Sequence, residues 1–430
     1  MKRLLLAAAA SIAAVSAAGA QTIPEGSQAA KVQSAYRRTP SFRIDPFRHV
    51  SIPHWGFVAS AGASGGNNTL NASDVGAFMF LNDRDSLTIS TFIDAMGLIP
   101  RGSGLTGFGQ GEAAFYLGGP FGGHVSFGVQ ARGTGYGAFQ LDDGAVSLLR
   151  DGNGTRTDFS LGSTKGIGLA TAEGGAHTII RLGPMGSVDG VKVNLGFGVR
   201  YLRPAAFARF RSLIANGGTL QVAGDTIKAN ISVETAITKD PLQTLKDGKN
   251  GWATDFLLRL EWPTSGLALE AMVANIGSVN IEHVEISSAG INVNTTSLQE
   301  VMDSVSAADS AGFTVRDADA TVNLTLPRIV RFTASAWANR ILQIDLSTTL
   351  PITGDFETPL AVDIGTTWRF IRTLPLRAGM SIGGTEGIGF SGGLAIEGRT
   401  MFFQLGAQSL GGLFRQAKGV GVRVEFGLFF

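Results

Sequence analysis

The chain of 430 residues contains no cysteine. Disulfides, a thiolate nucleophile and Cys-ligated metal are therefore excluded. Charge of one sign is also lacking: 35 Lys and Arg face 34 Asp and Glu, the formal net charge is +1, and charged residues are only 16% of the chain. That balance gives no attraction to a phosphate backbone, so no nucleic acid is expected as a partner. Histidines are few, and His49, His54, His124, His177 and His283 lie far apart without the HExxH spacing of a helical metal site. No metal and no cofactor is expected. After the N-terminal segment no run of about 18 apolar residues occurs, although the mean hydropathy is positive at +0.18. The apolar residues must be distributed in a way other than a membrane-spanning helix.

What is present begins with a targeting layout. Lys2 and Arg3 precede an apolar stretch from Leu4, and the small residues Ala18, Gly19 and Ala20 come just before Gln21. This is the pattern of a secretory signal peptide over residues 1–20. Residues 21–50, with Arg37, Arg38 and Pro40, then form a polar arm that either plugs a lumen or hangs in the periplasm.

From residue 51 to 430 the dominant signal has period two. Val420, Val422, Val424, Phe426, Leu428 and Phe430 fall on one face, with Gly421, Arg423, Glu425 and Gly427 on the other. The same split separates Leu360, Val362, Ile364, Thr366 and Trp368 from Asp363, Gly365, Thr367 and Arg369. It also separates Phe256, Leu258, Leu260 and Trp262 from Asp255, Arg259 and Glu261. Such alternation marks strands with an apolar and a polar face. A soluble β-sandwich alternates too, but these segments run about ten residues, the length a tilted strand needs to cross a bilayer. Their polar face carries charge strand after strand, mixed with Gly and Ser, as residues lining a polar lumen do. The 59 glycines are roughly double ordinary usage, which suits crowded lumen and turn positions.

The fold expected is an all-β transmembrane antiparallel barrel of about 14 to 16 strands, with short helices in loops, in the bacterial outer membrane. Parity counted back from Phe430 places short connections (398–400, 372–373, 339–340, 263–266) on the periplasmic side and longer ones (409–417, 351–359) outside. The longest, residues 277–326, is expected as an extracellular insertion. In it Leu298, Val301, Met302 and Val305 predict a short amphipathic helix, and Phe207, Phe210 and Ile214 predict another over 205–215.

Chemical motifs are discounted on mechanism. Gly102-Ser103-Gly104-Leu105-Thr106-Gly107 matches a dinucleotide fingerprint without the required strand before it and helix after it. The G-x-S-x-G pattern occurs at 62–66, 379–383 and 389–393, which in a glycine-rich chain reflects composition. Asp151-Gly152-Asn153-Gly154 opens like a calcium loop, but Arg156 stands where such a loop needs Gly, so a turn is expected.

The faces predicted to line the lumen carry Arg132, Lys192, Arg200, Arg259, Arg331, Arg369, Arg377 and Arg423 against Asp255, Glu261, Glu270, Asp345, Asp363, Glu397 and Glu425. Neither sign dominates. A strongly selective pore would show a ring of one sign, whereas balanced charges suit cross-strand ion pairs and weak charge selectivity.

Ala274-Asn275-Ile276-Gly277, Leu326-Pro327-Arg328, Leu374-Pro375-Leu376-Arg377-Ala378-Gly379 and Gly383-Gly384 resemble phrases of a family of bacterial outer-membrane barrels of unknown function. That family is similar to the fatty-acid-transporter-like barrels. The resemblance implies about 14 strands, no active site, and a hydrophobic cargo for which residues 21–50 could serve as a hatch. It also implies that the insertion machinery reads the terminal aromatic, a role that Phe430, with Phe426 and Leu428, matches.

The function expected first is a transport channel for small or hydrophobic molecules, its partners being outer-membrane lipid, the insertion machinery and a small hydrophobic ligand. The alternative is a closed structural or secretion-partner barrel acting through its external loops. An outer-membrane serine hydrolase comes third, and no catalytic residue is assigned.

Overall fold

The computed structural model describes residues 47, 55–71, 97–151, 158–160, 164–185, 190–213, 219–223, 226–262, 265–295, 314–339, 341–351, 360–371, 373–384, 387–398, 400–413 and 416–430. The segments predicted as signal peptide and N-terminal arm, Phe47 excepted, lie outside the described residues. So does the helix predicted from Leu298 to Val305.

Eighteen strands are present among the described residues: β1 (Gly56–Asn67), β2 (Leu105–Phe121), β3 (Val125–Leu141), β4 (Asp158–Ser160), β5 (Lys165–Met185), β6 (Val191–Ser212), β7 (Thr219–Ala223), β8 (Thr226–Thr238), β9 (Gly251–Trp262), β10 (Leu267–Thr295), β11 (Thr314–Thr325), β12 (Ile329–Trp337), β13 (Leu342–Pro351), β14 (Ala361–Ile371), β15 (Leu374–Gly383), β16 (Ile388–Glu397), β17 (Met401–Leu410) and β18 (Gly419–Phe429). Among the described residues two short helices accompany them, α1 (Asp143–Asp151) and α2 (Pro241–Asp247). All the pairings are antiparallel, and they close a barrel of 14 strands, at the low end of the expected range. The closed wall runs β1, β2, β3, β5, β6, β9, β10 and β12 to β18. Its seam joins β1 to β18 in unbroken register from Gly56 opposite Phe429 to Gly66 opposite Gly419.

The end of the barrel at which β1 begins and β18 finishes has the short connections, 122–124, 186–190, 263–266, 338–341, 372–373 and 398–400. Barrels of this kind keep that end in the periplasm. At the opposite end β10 continues for 29 residues, where about 9–11 suffice to cross a bilayer. Its outer half pairs with β8 on one side and β11 on the other, and β7 and β4 extend this sheet beyond the wall.

The residues facing outward explain the closure. Val420, Val422, Leu428, Phe403, Leu405, Leu394, Ile396, Ile364, Leu376, Leu258 and Phe256 are exposed, while the charged side chains alternating with them are buried. That is the inverse of a soluble protein and the arrangement of a strand wall between lipid and a polar interior, in which closure leaves no backbone edge facing hydrocarbon. Aromatic residues gather at both rims. Trp55, Phe121, Phe370 and Phe430 are exposed at the periplasmic end, and Trp55 Nε1 donates to Pro120 O at 3.0 Å. Near the other end Tyr201 meets Trp252 edge to face at 5.2 Å. Amphipathic rings of this kind settle at the headgroup level.

One wall position is shared. β9 pairs with β6 as far as Leu202 opposite Gly251, and β8 resumes from Ala208 opposite Ile237. Both also pair with β10. Between them lies α2, which starts because Asp240 accepts from the N–H groups of Leu242 and Gln243 at 2.9 and 3.0 Å and Pro241 sits in its first turn. Arg203 Nε holds the helix to the wall by donating to Leu245 O at 2.5 Å.

The helix predicted over 205–215 is corrected: β6 runs on through Ser212, and Ile214 lies outside the described residues. Phe207 points inward, 3% exposed, while Phe210 stands on the other face. Pairing of this segment with β5 on one edge and β8 on the other outweighs the helical spacing. Asp151 closes α1, and the rest of the expected turn lies outside the described residues. The three G-x-S-x-G segments all lie within strands, β1, β15 and β16.

Candidate functional site

Alternation in six strands places alternating charges along one half of the barrel wall. Glu425 accepts from Arg423 Nε at 2.9 Å, and Arg423 Nη2 reaches Glu112 at 3.0 Å. Glu112 lies 3.7 Å from Arg132, which grips Glu173 through Nη2 at 2.5 Å and Nε at 3.1 Å. Arg200 bridges Glu173, at 2.7 Å, and Asp255, at 2.7 and 2.8 Å. These residues belong to β18, β2, β3, β5, β6 and β9, and the order of charge is acid, base, acid, base, acid, base, acid. Arg200 is 1% and Asp255 0% exposed. Buried charges persist only when paired and hydrogen-bonded, and here Arg132 and Arg200 are directed at carboxylates on the strands beside them, while Arg423 pairs within β18 and across β1 to β2.

Glycine makes two of the close approaches. Gly62 of β1 lies in register between Glu112 and Arg423, and a Cβ there would stand 3.2 Å from Arg423 Cγ, so the ion pair crosses β1 over a bare backbone. At Gly198 a Cβ would lie 2.2 Å from His177 Cδ2. The imidazole of His177, 1% exposed, fills that space with Nε2 3.5 Å from Asp255 Oδ2.

A bulge completes the ribbon. Between Val273 and Ile276 the β9–β10 register slips, and Asn275 takes φ 63°, a conformation Asn tolerates better than most residues. Its N–H donates to Asp255 at 2.9 Å, its Oδ1 accepts from Arg200 at 2.5 Å, and its Nδ2 donates to Pro327 O at 3.0 Å.

The other half of the wall carries shorter networks. Arg369 pairs with Glu397 at 2.5 Å, Arg377 approaches the same carboxylate at 3.5 Å and also donates to Gln404. Arg259 meets Glu261 at 2.8 Å and Glu270 at 3.6 Å. Gln343 Nε2 donates to Asp345 at 2.9 Å. Arg331 is buried, Asp363 is half-buried, and Lys192 is exposed near the periplasmic rim. Of the sequence-predicted charges, Arg200 and Asp255, Arg423 and Glu425, Arg369 with Arg377 and Glu397, and Arg259 with Glu261 and Glu270 are thus brought together. Phe426, Leu428 and Phe430 share the outer face of β18.

Sequence reasoning missed Glu112, Glu173, His177 and Asn275. The first three alternate with small residues in glycine-rich strands, where the apolar partner face that reveals a strand is weak. Period two continued through β5 from Thr171 to Ile179 was the available signal. Asn275 stands in the phrase Ala274 to Gly277, where nothing local marks it as a bulge that faces an acid on another strand.

Apolar clusters flank the ribbon. One contains Leu202, Phe207, Val279, Ile281 and Leu324 toward the outer end. The other, toward the periplasmic end, contains Val58, Tyr116, Ile179, Leu257, Met272 and Phe402, together with Phe47. Phe47 is 0% exposed and meets the His177 ring edge to face at 5.3 Å. At the outer mouth a cavity of about 410 Å³ lies among Phe108, Gln140, Lys165, Ile167 and Arg211, and reaches across to Gly384 beside the β15–β16 turn.

No family model and no curated protein matches the chain. Among solved structures it is similar to the TodX deltaS2S3 mutant monoaromatic hydrocarbon channel, with 11% identity, 96% of each chain covered and a TM-score of 0.49. It is also similar to the Ralstonia pickettii toluene transporter TbuX, with 9% identity over 88% of this chain and 90% of that one and a TM-score of 0.46. A Pseudomonas aeruginosa FadL homologue shows 9% identity over 95% and 99%, with a TM-score of 0.45.

Proposed function

We propose that this barrel sits in the outer membrane and transports small hydrophobic molecules, that it is closed at rest, and that it discriminates weakly by charge. The observation that carries the reading is the apolar content of the interior. A water-filled porin lumen is polar, whereas here buried aliphatic and aromatic clusters lie on both sides of a charge ribbon. In the ribbon three guanidinium groups are paired with four carboxylates, and its side chains are withdrawn from water. A neutral, apolar solute entering the mouth beside Phe108 and Ile167 thus meets surfaces that gain by covering it.

The remaining assignments follow the same reading. Residues 1–20 direct secretion and are removed. Residues 21–50 form a plug, supported by the burial of Phe47 among lumen residues. Phe430, with Phe426 and Leu428 on the lipid-facing side of β18, is the signal read by the insertion machinery. A second reading, a docking platform for another protein, is favoured by the sheet of β4, β7, β8, β10 and β11 that extends past the wall.

The test combines two measurements on folded mature protein. In planar bilayers the wild-type barrel should give no lasting conductance steps, and deletion of residues 21–50 should give steps with a reversal potential near zero. In cells, production of the barrel should speed entry of the apolar dye N-phenylnaphthylamine. A large permanent conductance in the wild type, or unchanged dye entry, would refute the reading.

A further inference from the structure

The outward positions of β1, β2, β3, β5 and β6 differ from those of the remaining wall. Every second residue from Ala59 to Gly65, Gly109 to Ala113, Ala131 to Phe139, Gly166 to Gly174 and Ala206 to Phe210 is glycine or alanine, except Phe139 and Phe210. The ladders set them abreast: Gly65 pairs with Gly109, Gly109 with Gly137, Gly137 with Gly168 and Gly168 with Ala208. Elsewhere the same face is bulky, as with Val420 and Val422 on β18 or Phe256 and Leu258 on β9. Glycine inside a strand weakens it. A Cβ on Gly109, Gly133, Gly135 or Gly174 would meet no atom within 4 Å, so nothing in the barrel itself requires those side chains to be missing.

The face continues past the hydrocarbon. β2, β3, β5 and β6 run for 17, 17, 21 and 22 residues, where about 9–11 cross a bilayer, so their outer ends stand above it. No charged residue holds any of these outward positions, and Phe139 and Ile237 are 45% and 51% exposed. Beside them a cavity of about 530 Å³ lies over Gly109, Gly137, Gly166 and Gly168, with Phe210 at its edge. Arg209 borders it but turns its guanidinium to Phe207 and Glu234 on the inner face. An apolar hollow next to exposed apolar side chains marks a contact surface.

We propose that this face joins two copies of the chain side by side in the membrane, as a dimer whose two-fold axis runs along the membrane normal and passes near Gly135. The membrane holds every copy upright at one depth, so half a turn about that axis brings the face against its own equivalent, level for level. It is self-complementary in shape, since Phe139 and Ile237 project beside the hollow that takes the partner's side chains. Within hydrocarbon, apolar bulk gives no drive to association, whereas small residues that admit close backbone approach do. Above it, covering the exposed side chains adds the hydrophobic gain. From strand spacing and rise the face measures about 600 Å², so a pair covers about 1,200 Å², the size at which stable interfaces begin. Each barrel keeps its own lumen, so the pairing stands apart from the transport reading.

Oxidation of single-cysteine variants in isolated outer membranes tests this without background, because the chain has no cysteine of its own. Gly135→Cys places a thiol near the axis, where nothing in the barrel crowds it, and should form a disulfide-linked homodimer. Ile364→Cys, on the opposite side of the barrel and 40% exposed, should link about tenfold less. Gly133→Cys should link as well, and adding Gly135→Trp to it should cut the yield about tenfold while the barrel stays heat-modifiable. Equal yields at residues 135 and 364 would mean chance encounters and overturn the pairing. So would an adduct of Gly135→Cys with the mass of a different protein, or no adduct at all. A yield from Gly133→Cys that Gly135→Trp leaves unchanged overturns it too, and if the tryptophan variant does not fold, the comparison of Gly135→Cys with Ile364→Cys decides alone.

Discussion

Replacing Arg200 by methionine keeps the length of the side chain and removes the charge that joins Glu173 to Asp255. Arg200 is 1% exposed and makes three contacts of 2.7 to 2.8 Å with the two carboxylates. Glu173 keeps Arg132 after the change, but Asp255 keeps only the Asn275 N–H and the neighbouring His177. Breaking a buried pair from one side costs about 3–5 kcal/mol, and the surviving partner of Glu173 argues for the lower end, about 3 kcal/mol, or a shift of roughly 150-fold in the folding equilibrium. Adding Asp255→Leu removes the stranded carboxylate, so the double variant should regain at least about 1 kcal/mol over Arg200→Met, because replacing both partners is far cheaper than orphaning one. The assay is guanidinium-induced unfolding in lipid vesicles followed by tryptophan fluorescence, with heat-modifiable migration confirming the barrel. A loss below about 1 kcal/mol for Arg200→Met, the value of an exposed ion pair, would mean that water reaches the ribbon and that the interior is not closed.

Three further outcomes are expected. Gly198→Ala, whose methyl would meet the His177 ring, should cost about 1–3 kcal/mol in the same unfolding assay, and Gly198→Ala combined with His177→Ala should cost less than the sum of the single changes. Above the membrane, burial opposes ionisation of Glu234, but the guanidinium groups of Arg211 and Arg209 outweigh it and hold the carboxyl below its ordinary value; its contribution is then complete above the free Glu value of about 4.3 and lost as the pH falls through the lower folded value. Unfolding of Glu234→Gln followed against pH should therefore show a smaller loss of stability on acidification than the wild type. Deleting Phe430 should reduce the heat-modifiable barrel recovered from outer membranes, and normal accumulation would remove the assembly role from the C-terminal aromatic.

The barrel was legible because every lipid-facing strand must repeat the same alternation: β18 shows it with Val420, Val422 and Val424, and β9 with Phe256 and Leu258. Strand number was less so, since β8 and β9 share one wall position and β11 and β12 divide one descending passage at Pro327, none of which hydrophobic pattern reveals. The site was readable where charge interrupts an apolar rhythm, as at Arg423 and Glu425. It was unreadable at Glu173 and His177, whose outward neighbours are small, and at Asn275, whose role depends on a bulge created by pairing. The spacing of Phe207 and Phe210 misled because two strands claim the segment from either side.

The seam between β1 and β18 has a consequence for how the molecule is made. It joins residues from opposite ends of the sequence, Gly56 with Phe429 and Gly66 with Gly419. Phe430 N donates to Trp55 O at 2.9 Å at one rim, and Asn67 N to Lys418 O at 2.9 Å at the other. The Arg423 to Glu112 pair adds a rivet that skips over β1 to reach β2. Bringing such distant segments together carries the largest loop-closure cost in the barrel, so the pairing of β18 with β1 is the step that turns an open, sticky sheet into a finished ring. A polypeptide halted short of β18 keeps two unpaired edges, and edges of that kind invite aggregation. Completion of the ring thus removes both edges at once, because the seam zips only when β1 and β18 are both present.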